Sequence, residues 1–372
     1  MAITYLFIDD QLKKAKGFAD GLSLRPEELV VNEPIYPLGW EEQIEYLIKE
    51  RSNIDGLLLD LRLVVRDTNS QNNKGIQYQS PTLAEEIRTR AKEGVLENLP
   101  IILCSTDKKT FAQYYDSTSY DLFDAKYIKD DLTADDEEQQ VINEFIAHAE
   151  AYQEIAKNRN DLKKLLKHDN ILKDIELEFE RLTTDHDKAA LIREVVLPTG
   201  VLIDEDILAI RLGIDKKKSG EDWNTLKKEF DKKKYNNIKY KGIYSKAWQR
   251  WWMPELYKWW QEKFPDDIIQ NTSASKKVEL LKEKLGLERL TAIAKPEHHI
   301  YDTFWQKCAL SDTPLESADG LRTRERQKYS WQNPKYISLK YVWNSSLNEQ
   351  DEIRKHLPAF ELDKFENLIK NQ

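Results

Sequence analysis

The sequence lacks most of the features that would place a chain in a special class of protein. Its two cysteines, Cys104 and Cys308, lie too far apart to suggest a disulfide framework or a zinc motif. No stretch approaches the ~20 apolar residues of a membrane-spanning helix. There is no internal repeat and no low-complexity tail. Residues 1–5 lack a basic region, so we expect no signal peptide and a cytoplasmic location.

Charge and tryptophan are unevenly distributed along the chain. Residues 1–150 carry 16 Lys and Arg against 29 Asp and Glu, a net charge of −13. Residues 151–372 carry 41 against 37, a net charge of +4. Only Trp40 lies in the first part, and the other nine tryptophans follow from Trp223 onward. A chain of 372 residues is expected to form two or three domains, and this asymmetry supports at least two.

The first 135 residues alternate between short apolar runs and amphipathic segments. The run Leu57-Leu58-Leu59 is typical of a strand that is buried on both faces. Similar runs predict strands at residues 3–8, 29–31, 101–104 and 125–128. Helices are predicted between them, including one from Trp40 to Arg51 and one from Pro81 to about Glu93. The alternation predicts a five-stranded parallel α/β sheet with helices on both faces.

Other segments are predicted from composition and spacing. Residues 66–80 are polar and predict a long loop, and a helix is expected after Asp107. From Asp135 the pattern becomes helical, with a break between Lys157 and Asp161. The domains predicted are residues 1–135, a helical connector at 136–182, and a mostly helical, Trp-rich domain at 183–372. In that last domain we predict a helix from Asp204 to Leu212, stopped by Gly213, and a loop at residues 216–220.

Polar residues follow three of the predicted strands. Asp9 and Asp10 come after the first strand, Asp60 ends the third, and Ser105 ends the fourth. In open parallel sheets, ligands bind outside the carboxyl ends of the strands. Two carboxylates ~4 Å apart repel by about 4 kcal/mol at an effective dielectric of 20, and a divalent cation would offset that repulsion. Mg²⁺ fits, because it prefers oxygen ligands and needs only a few carboxylates.

The same residues predict a phosphoryl-transfer site. Asp60 has the position of an aspartyl nucleophile. Ser105 can donate a hydrogen bond to the acquired phosphoryl group, and Lys129, after the last strand, can pair with it. Structural roles stay open for each residue: a helix N-cap for the Asp9-Asp10 pair, a turn for Asp60, a cap for Ser105, and a solvated surface position for Lys129.

Residues 1 to about 150 resemble the receiver domain of two-component response regulators. The resemblance is carried by four segments in order: Phe7–Gln11, Leu58–Leu63, Pro100–Ser105 and Tyr127–Lys129. It implies that Asp60 is the phosphorylated aspartate and that Asp9 and Asp10 hold Mg²⁺ with it, helped by the backbone carbonyl of Arg62. It also implies that Ser105 is the switch hydroxyl and Lys129 the phosphate-pairing lysine.

The sequence departs from the receiver pattern at several positions. The proline expected four residues after the phosphoacceptor is Val64, and the proline expected after the lysine is Asp130. The segment after Asp60 is enlarged by residues 65–74. The aromatic partner of the switch hydroxyl is replaced by Lys126, with Tyr127 as a substitute shifted by one residue. These departures leave phosphoacceptance in place and put the usual output switch in question.

The leading hypothesis is a response-regulator-like phosphorelay component. A histidine kinase or phosphotransfer protein would supply the phosphoryl group, and the helical C-terminal domain would transmit the state through protein contacts. We expect no enzyme activity beyond self-dephosphorylation, no membrane partner and no nucleic-acid partner. Two alternatives stay open: a receiver-like scaffold that is never phosphorylated, and a transcription regulator whose Trp- and Lys-rich region at 244–264 contacts DNA. Core packing or a partner groove is the favoured interpretation of that aromatic region.

Overall fold

The computed structural model describes residues 2–65, 76–106, 122–129, 135–235 and 237–370. The chain forms two compact units. The first unit consists of Met1–Arg193 together with Lys241–Trp248, and the second consists of Glu194–Tyr240 together with Gln249–Gln372. The chain therefore leaves the first unit, returns to it for one short segment, and leaves it again.

A parallel sheet is the centre of the first unit. The strands of this unit are β1 (Ile3–Ile8), β2 (Leu29–Val31), β3 (Gly56–Asp60), β4 (Arg62–Val65), β5 (Ile76–Gln79), β6 (Ile101–Ser105) and β7 (Ala125–Ile128). Five of them form the sheet, in the order β2-β1-β3-β6-β7, and every neighbouring pair is parallel. Counted within the sheet alone, this is the 2-1-3-4-5 order of flavodoxin-like folds. The predicted five-stranded parallel sheet is confirmed.

Helices cover both faces of this sheet, which explains the continuous leucine run in β3. The helices concerned are α1 (Leu12–Leu22), α2 (Trp40–Glu50), α3 (Ser80–Lys92) and α4 (Asp135–Lys157). Leu57 and Leu59 pack with α2 and α3, whereas Leu58 packs with α1 and α4, and all three leucines are fully buried. Because successive side chains of a strand point to opposite faces, a strand covered on both sides needs an apolar residue at every position.

A β-hairpin follows the third strand directly. Strands β4 and β5 are antiparallel, with Arg62 opposite Gln79 and Val64 opposite Gln77. The predicted loop over residues 66–80 is therefore wrong at its C-terminal end, where Ile76–Gln79 is a strand and Ser80 begins α3. Residues 66–75 lie outside the described part of the chain.

Long-range contacts of Tyr78 explain why the end of this polar stretch is ordered. The Tyr78 hydroxyl donates to the backbone carbonyl of Leu38 at 2.9 Å, and its ring packs edge-to-face on Trp40 with centroids 5.3 Å apart. Both partners lie about 40 residues away in sequence. The local sequence pattern does not reveal such long-range contacts, so the polar composition predicted a loop.

Three further helices among the described residues belong to the first unit. They are α5 (Leu162–Leu166), α6 (Lys173–Arg181) and α7 (Asp185–Val196), whose last three residues belong to the second unit. Helix α4 ends at Lys157, which confirms the predicted break. The helices of the predicted connector pack within the first unit; the domain boundaries at residues 135 and 182 stay a prediction. The helix expected after Asp107, and Asp130, lie outside the described residues.

The second unit is mostly helical, as predicted. Its helices after α7 are α8 (Glu205–Arg211), α9 (Lys216–Glu229), α10 (Met253–Lys263), α11 (Ala274–Leu285), α12 (Leu339–Trp343), α13 (Leu347–His356) and α14 (Ala359–Lys370). Its strands are short: β8 (Leu202–Ile203), β9 (Trp251–Trp252), β10 (Gln306–Lys307), β11 (Pro314–Leu315), β12 (Gly320–Arg322) and β13 (Tyr336–Ser338). None of the helices in the described ranges has the length and apolar composition needed to cross a bilayer.

The tryptophans of residues 251–260 lie in the core of the second unit. Trp251, Trp259 and Trp260 are each at most 2% exposed, and Trp260 packs on Phe264 with ring centroids 4.5 Å apart. Core packing, the favoured interpretation of this region, is therefore confirmed for these residues. The helical spacing from residue 244 to 264 is misleading, because the helix begins only at Met253, where Pro254 occupies the first turn.

Two predictions near α8 and α9 have opposite outcomes. The Asp204 carboxylate caps α8 by accepting the backbone N–H of Ile207 at 2.8 Å, and Gly213 follows the helix with a φ of +73°, both as predicted. The loop predicted at residues 216–220 is wrong, because α9 begins at Lys216 behind an Asp215 cap. Only Gly220, with a φ of +51°, departs from helical geometry there.

Candidate functional site

Three carboxylates meet at the carboxyl edge of the sheet. Asp9 and Asp10 follow β1, and Asp60 is the last residue of the neighbouring strand β3. One carboxylate oxygen from each of the three lies within 4.8 Å of the other two. Asp9 and Asp60 are buried and Asp10 is half-buried. The parallel register produces this cluster, because Ile8 pairs with Leu59 and the residues beyond that pair leave the sheet at the same edge.

Lys129, which follows the edge strand β7, contacts this acidic cluster. Its Nζ donates to Asp9 Oδ2 at 2.6 Å and to Asp60 Oδ1 at 2.5 Å. The lysine comes directly after β7, so the edge strand of the sheet delivers it to the two carboxylates. Asp9, Asp10, Asp60 and Lys129 therefore form one group of side chains, as the sequence predicted.

The electrostatics of the cluster favour an added cation. Burial, and then the neighbouring Asp9 carboxylate, raise the pKa of both Asp60 and Asp10 above its ordinary value, and Lys129 offsets part of the shift. Burial disfavours the Lys129 ammonium, but the Asp60 and Asp9 carboxylates outweigh it and raise the pKa of that lysine. One lysine thus faces three acids, which leaves a net negative charge in a partly desolvated site.

The donor set fits Mg²⁺. Asp10 Oδ1 is buried and accepts no hydrogen bond from the described residues, so it is an oxygen ligand without a partner. Three carboxylates provide the hard oxygen donors that Mg²⁺ prefers, and Asp10, being half-buried, leaves one side of the site open to water. Asp9, Asp10 and Asp60 are therefore the residues that would hold the metal.

The two remaining predicted residues lie at the same edge. Ser105 is the last residue of β6 and is buried; the residue before it, Cys104, pairs with Asp60 across the sheet. The backbone N–H of Arg62 donates to Asp60 Oδ2 at 3.0 Å. The predicted places of Ser105 and Arg62 beside Asp60 agree with this geometry, whereas their roles, as switch hydroxyl and as carbonyl ligand, stay predictions.

The departures from the receiver pattern have structural counterparts. Val64 lies in the hairpin strand β4, where a proline would remove a backbone N–H from a two-stranded ribbon. Tyr127 does not point toward Ser105. Its ring packs on Phe145 of α4 with centroids 5.6 Å apart, and its hydroxyl donates to Glu144. Strand alternation places Tyr127 on the α4 face, so the substitution by a one-residue shift is wrong.

A second group of polar residues was missed in the sequence. The buried Asp124 carboxylate, just before β7, accepts hydrogen bonds from Arg88 at 2.8 Å, from Tyr152 at 2.9 Å and from Arg193. The Tyr152 hydroxyl is also 2.7 Å from Nδ1 of His186. Burial raises the pKa of Asp124, but Arg193 and Arg88 outweigh it and hold that pKa well below its ordinary value. The two arginines lie 36 and 69 residues from Asp124, so no motif spacing could reveal the cluster.

The returning segment Lys241–Trp248 packs against α4. His148 of that helix is buried between the rings of Tyr244 and Trp248, with centroids 5.5 and 5.6 Å away. Burial lowers the pKa of His148 to about 3, so the imidazole is neutral at physiological pH. Gln140 of the same helix donates to the backbone carbonyl of Ala247 at 2.9 Å. The aromatic-rich sequence at 244–248 thus belongs to the first unit.

Comparisons with known proteins bear on the fold alone. No protein-family model matches the chain, and no curated protein matches it. Among solved structures, a CheY-like response regulator receiver domain from Methylobacillus flagellatus is 14% identical, with 39% of this chain and 99% of that chain covered and a TM-score of 0.28. The phosphorylated cyanobacterial phytochrome response regulator RcpA is 16% identical, with coverages of 42% and 94% and a TM-score of 0.25. NtrX from Brucella abortus is 16% identical, with coverages of 54% and 35% and a TM-score of 0.30.

The first unit has a flavodoxin-like fold, the fold class that receiver domains share. The strand order and the parallel register of the sheet define it. The predicted fold class is confirmed for both halves of the chain. The acidic cluster at the carboxyl edge of the sheet makes the chain compatible with a role in a phosphorelay.

Proposed function

We propose that this protein is a phosphorelay component that accepts a phosphoryl group on Asp60 with the help of Mg²⁺. The observation that carries the proposal is the convergence of Asp9, Asp10 and Asp60, with carboxylate oxygens within 4.8 Å of one another and Lys129 bridging two of them. A purely structural cluster does not explain a buried Asp10 oxygen that accepts no hydrogen bond from the described part of the chain.

The proposed step is a phosphoryl transfer. One carboxylate oxygen of Asp60 forms a bond to the phosphorus of the donor, while the bond from phosphorus to the leaving group breaks and the leaving group keeps the electron pair. Asp9, Asp10 and Asp60, together with the Arg62 carbonyl, would hold Mg²⁺, which would supply positive charge at the transferred group. Lys129 neutralises a further negative charge, and Ser105 donates a hydrogen bond to the phosphoryl group. Water later releases inorganic phosphate and restores Asp60.

The biological setting follows from this chemistry. The phosphodonor is a histidine kinase or a phosphotransfer protein, and the protein acts as a phosphoacceptor in the cytoplasm. Its only catalysis is its own dephosphorylation. The helical second unit transmits the state through contacts with another protein. The core positions of Trp251, Trp259 and Trp260 give the DNA-binding alternative no support, because these rings are not available for stacking on bases.

Intact-mass spectrometry after incubation with Mg²⁺ and a small acyl phosphate tests the proposal. We expect an adduct of one phosphoryl group in the wild type and in Asp20→Asn, which removes an exposed carboxylate of α1. Asp60→Asn should give no adduct, and EDTA should abolish the adduct in the wild type and in Asp20→Asn. The proposal would be contradicted by a wild type that stays unmodified or by an adduct that persists in Asp60→Asn. The first result, combined with no calorimetric signal for Mg²⁺, would favour the unphosphorylated scaffold.

A further inference from the structure

Two basic side chains are buried next to each other in the second unit. Arg211 is the last residue of α8 and Lys277 lies in α11. They are 1% and 0% exposed, respectively, although long basic side chains are almost never fully buried without a partner of opposite charge. Lys277 Nζ donates to the backbone carbonyl of Arg211 at 2.9 Å, so the lysine ammonium lies against the C-terminal end of α8.

The Arg211 guanidinium is only partly satisfied. Its Nε donates to the backbone carbonyl of Trp305 at 3.2 Å, and its central carbon lies 4.5 Å from the centroid of the Trp305 ring. Lys277 Nζ lies 6.0 Å from the same centroid. Nη2 of Arg211 is buried and has no hydrogen-bond partner among the residues that the structure describes. Leaving a buried N–H of a charged group without an acceptor costs more free energy than leaving a neutral N–H unsatisfied. A hydrogen-bond acceptor next to Nη2 would therefore be stabilising.

No carboxylate of the described chain forms an ion pair with either cation. The charged or titratable groups that face them are Asp204 and Tyr257 for Arg211, and Asp302 for Lys277. The Asp204 carboxylate is already engaged in capping α8. Burial lowers the pKa of Lys277 to about 7 and that of Arg211 to about 10, and the acids offset only part of the shift. Two buried cationic groups that form no direct ion pair with any described carboxylate are unfavourable, because no such pair offsets their desolvation.

We propose that a small inorganic anion binds between Nη2 of Arg211 and Nζ of Lys277. Such an anion accepts the unused Nη2 hydrogen bond and supplies the missing negative charge. Because both side chains are fully buried, the proposed ligand is a small anion such as a halide. The site lies in the second unit and does not depend on phosphorylation of Asp60.

Thermal unfolding of the full-length protein tests the site. Tryptophan fluorescence reports mainly on the second unit, which contains most of the tryptophans. At fixed pH and ionic strength, sodium chloride should raise the Tm over sodium gluconate, an anion too large for the site, by roughly 2–5 °C and in a saturable manner. Lys277→Met should lose the dependence on the anion. Lys276→Met, on the exposed side of the same helix, should keep it.

A structural measurement needs no variant. A crystal of the wild-type protein grown in sodium bromide should show an anomalous peak within hydrogen-bond distance of Arg211 Nη2. The proposal is overturned if no peak appears there, if the wild type has equal Tm values in chloride and gluconate, or if Lys276→Met loses the anion effect as fully as Lys277→Met. In that case Lys277 is simply neutral, and stability rises between about pH 7 and 10 in every anion because the unfolded chain binds the extra proton.

Discussion

Asp124 is the centre of a cluster of buried charged side chains in the first unit. Its carboxylate is fully buried and pairs with Arg88 and Arg193, which are themselves nearly buried. Removing one partner of such a buried group leaves the others as uncompensated charges. The residue also connects the start of β6 to the chain just before β7, because Oδ2 accepts the backbone N–H of Ile101 at 2.9 Å.

Asp124→Asn should therefore lower the free energy of unfolding by roughly 3–5 kcal/mol. Urea denaturation, followed by circular dichroism at neutral pH, measures the change. Asp20→Asn, which removes a carboxylate from an exposed i,i+4 pair with Lys16, should stay within ~0.5 kcal/mol of the wild type. Equal effects of the two substitutions would contradict the importance assigned to the buried cluster.

For Asp10 we expect the opposite effect on stability to that of Asp124, since the charge of Asp10 opposes folding when no metal is bound. Its pKa is raised in the folded protein by burial and by Asp9, so folding favours the protonated form. The stability that this group contributes is present at low pH and is lost as the pH rises through the ordinary and then the raised pKa. Asp10→Asn should raise the unfolding free energy in EDTA at neutral pH by up to ~1 kcal/mol, a small gain because the group is half-exposed.

Calorimetric unfolding of wild type and Asp10→Asn at pH 7 and below pH 4 tests this prediction. The difference between the two proteins should shrink as the pH falls through the raised and then the ordinary pKa of the wild-type carboxyl. In millimolar Mg²⁺ the order should reverse, because only the wild type retains the full set of carboxylate ligands. A variant that is less stable than the wild type in EDTA at neutral pH would show that Asp10 stabilises the fold by itself.

At the scale of elements, the strands could be predicted from sequence and the hairpin could not. Three consecutive leucines identify β3 because only a strand covered on both faces tolerates them. The hairpin strand Ile76–Gln79 is fixed by the contacts of Tyr78 with α2 and with the chain before it, and local composition says nothing of these. The acidic site was predictable because it follows from strand ends, whereas the Asp124 cluster joins residues from four separate elements.

Gly56 and Gly17 make a matched pair for testing the packing of these elements. A Cβ on Gly56, at the start of β3, would lie 2.2 Å from a ring atom of Tyr5, whose hydroxyl is fixed by the Phe145 carbonyl. Gly56→Ala should cost about 1–3 kcal/mol by overpacking. Gly17 lies inside α1, and no atom of the described residues lies within 4 Å of its Cβ position. Gly17→Ala should stabilise by ~0.5–1 kcal/mol through helix propensity. Urea titrations measure both changes, and a tolerated Gly56→Ala would contradict the tight contact.

At the scale of the whole molecule, the segment Lys241–Trp248 makes the first unit depend on a distant part of the chain. It lies far along the sequence, between two stretches of the second unit, yet its side chains pack on α4 of the first unit. Trp248 covers the buried His148, so truncating Trp248 exposes part of α4 to water. Trp248→Ala should therefore loosen α4 by about 1–3 kcal/mol of local stability, in the range of core truncations that leave a partly open site.

Hydrogen exchange followed by mass spectrometry measures this effect element by element. In Trp248→Ala the amides of α4 should exchange faster, by about tenfold per 1.4 kcal/mol of lost local stability, while those of α10 in the second unit should keep the wild-type rate. Lys246→Ala, which breaks an exposed ion pair with Glu150 of the same helix, should leave both helices unchanged. If α10 loosened and α4 did not, the segment would belong energetically to the second unit. The first unit would then end at Arg193 and would not include the returning segment.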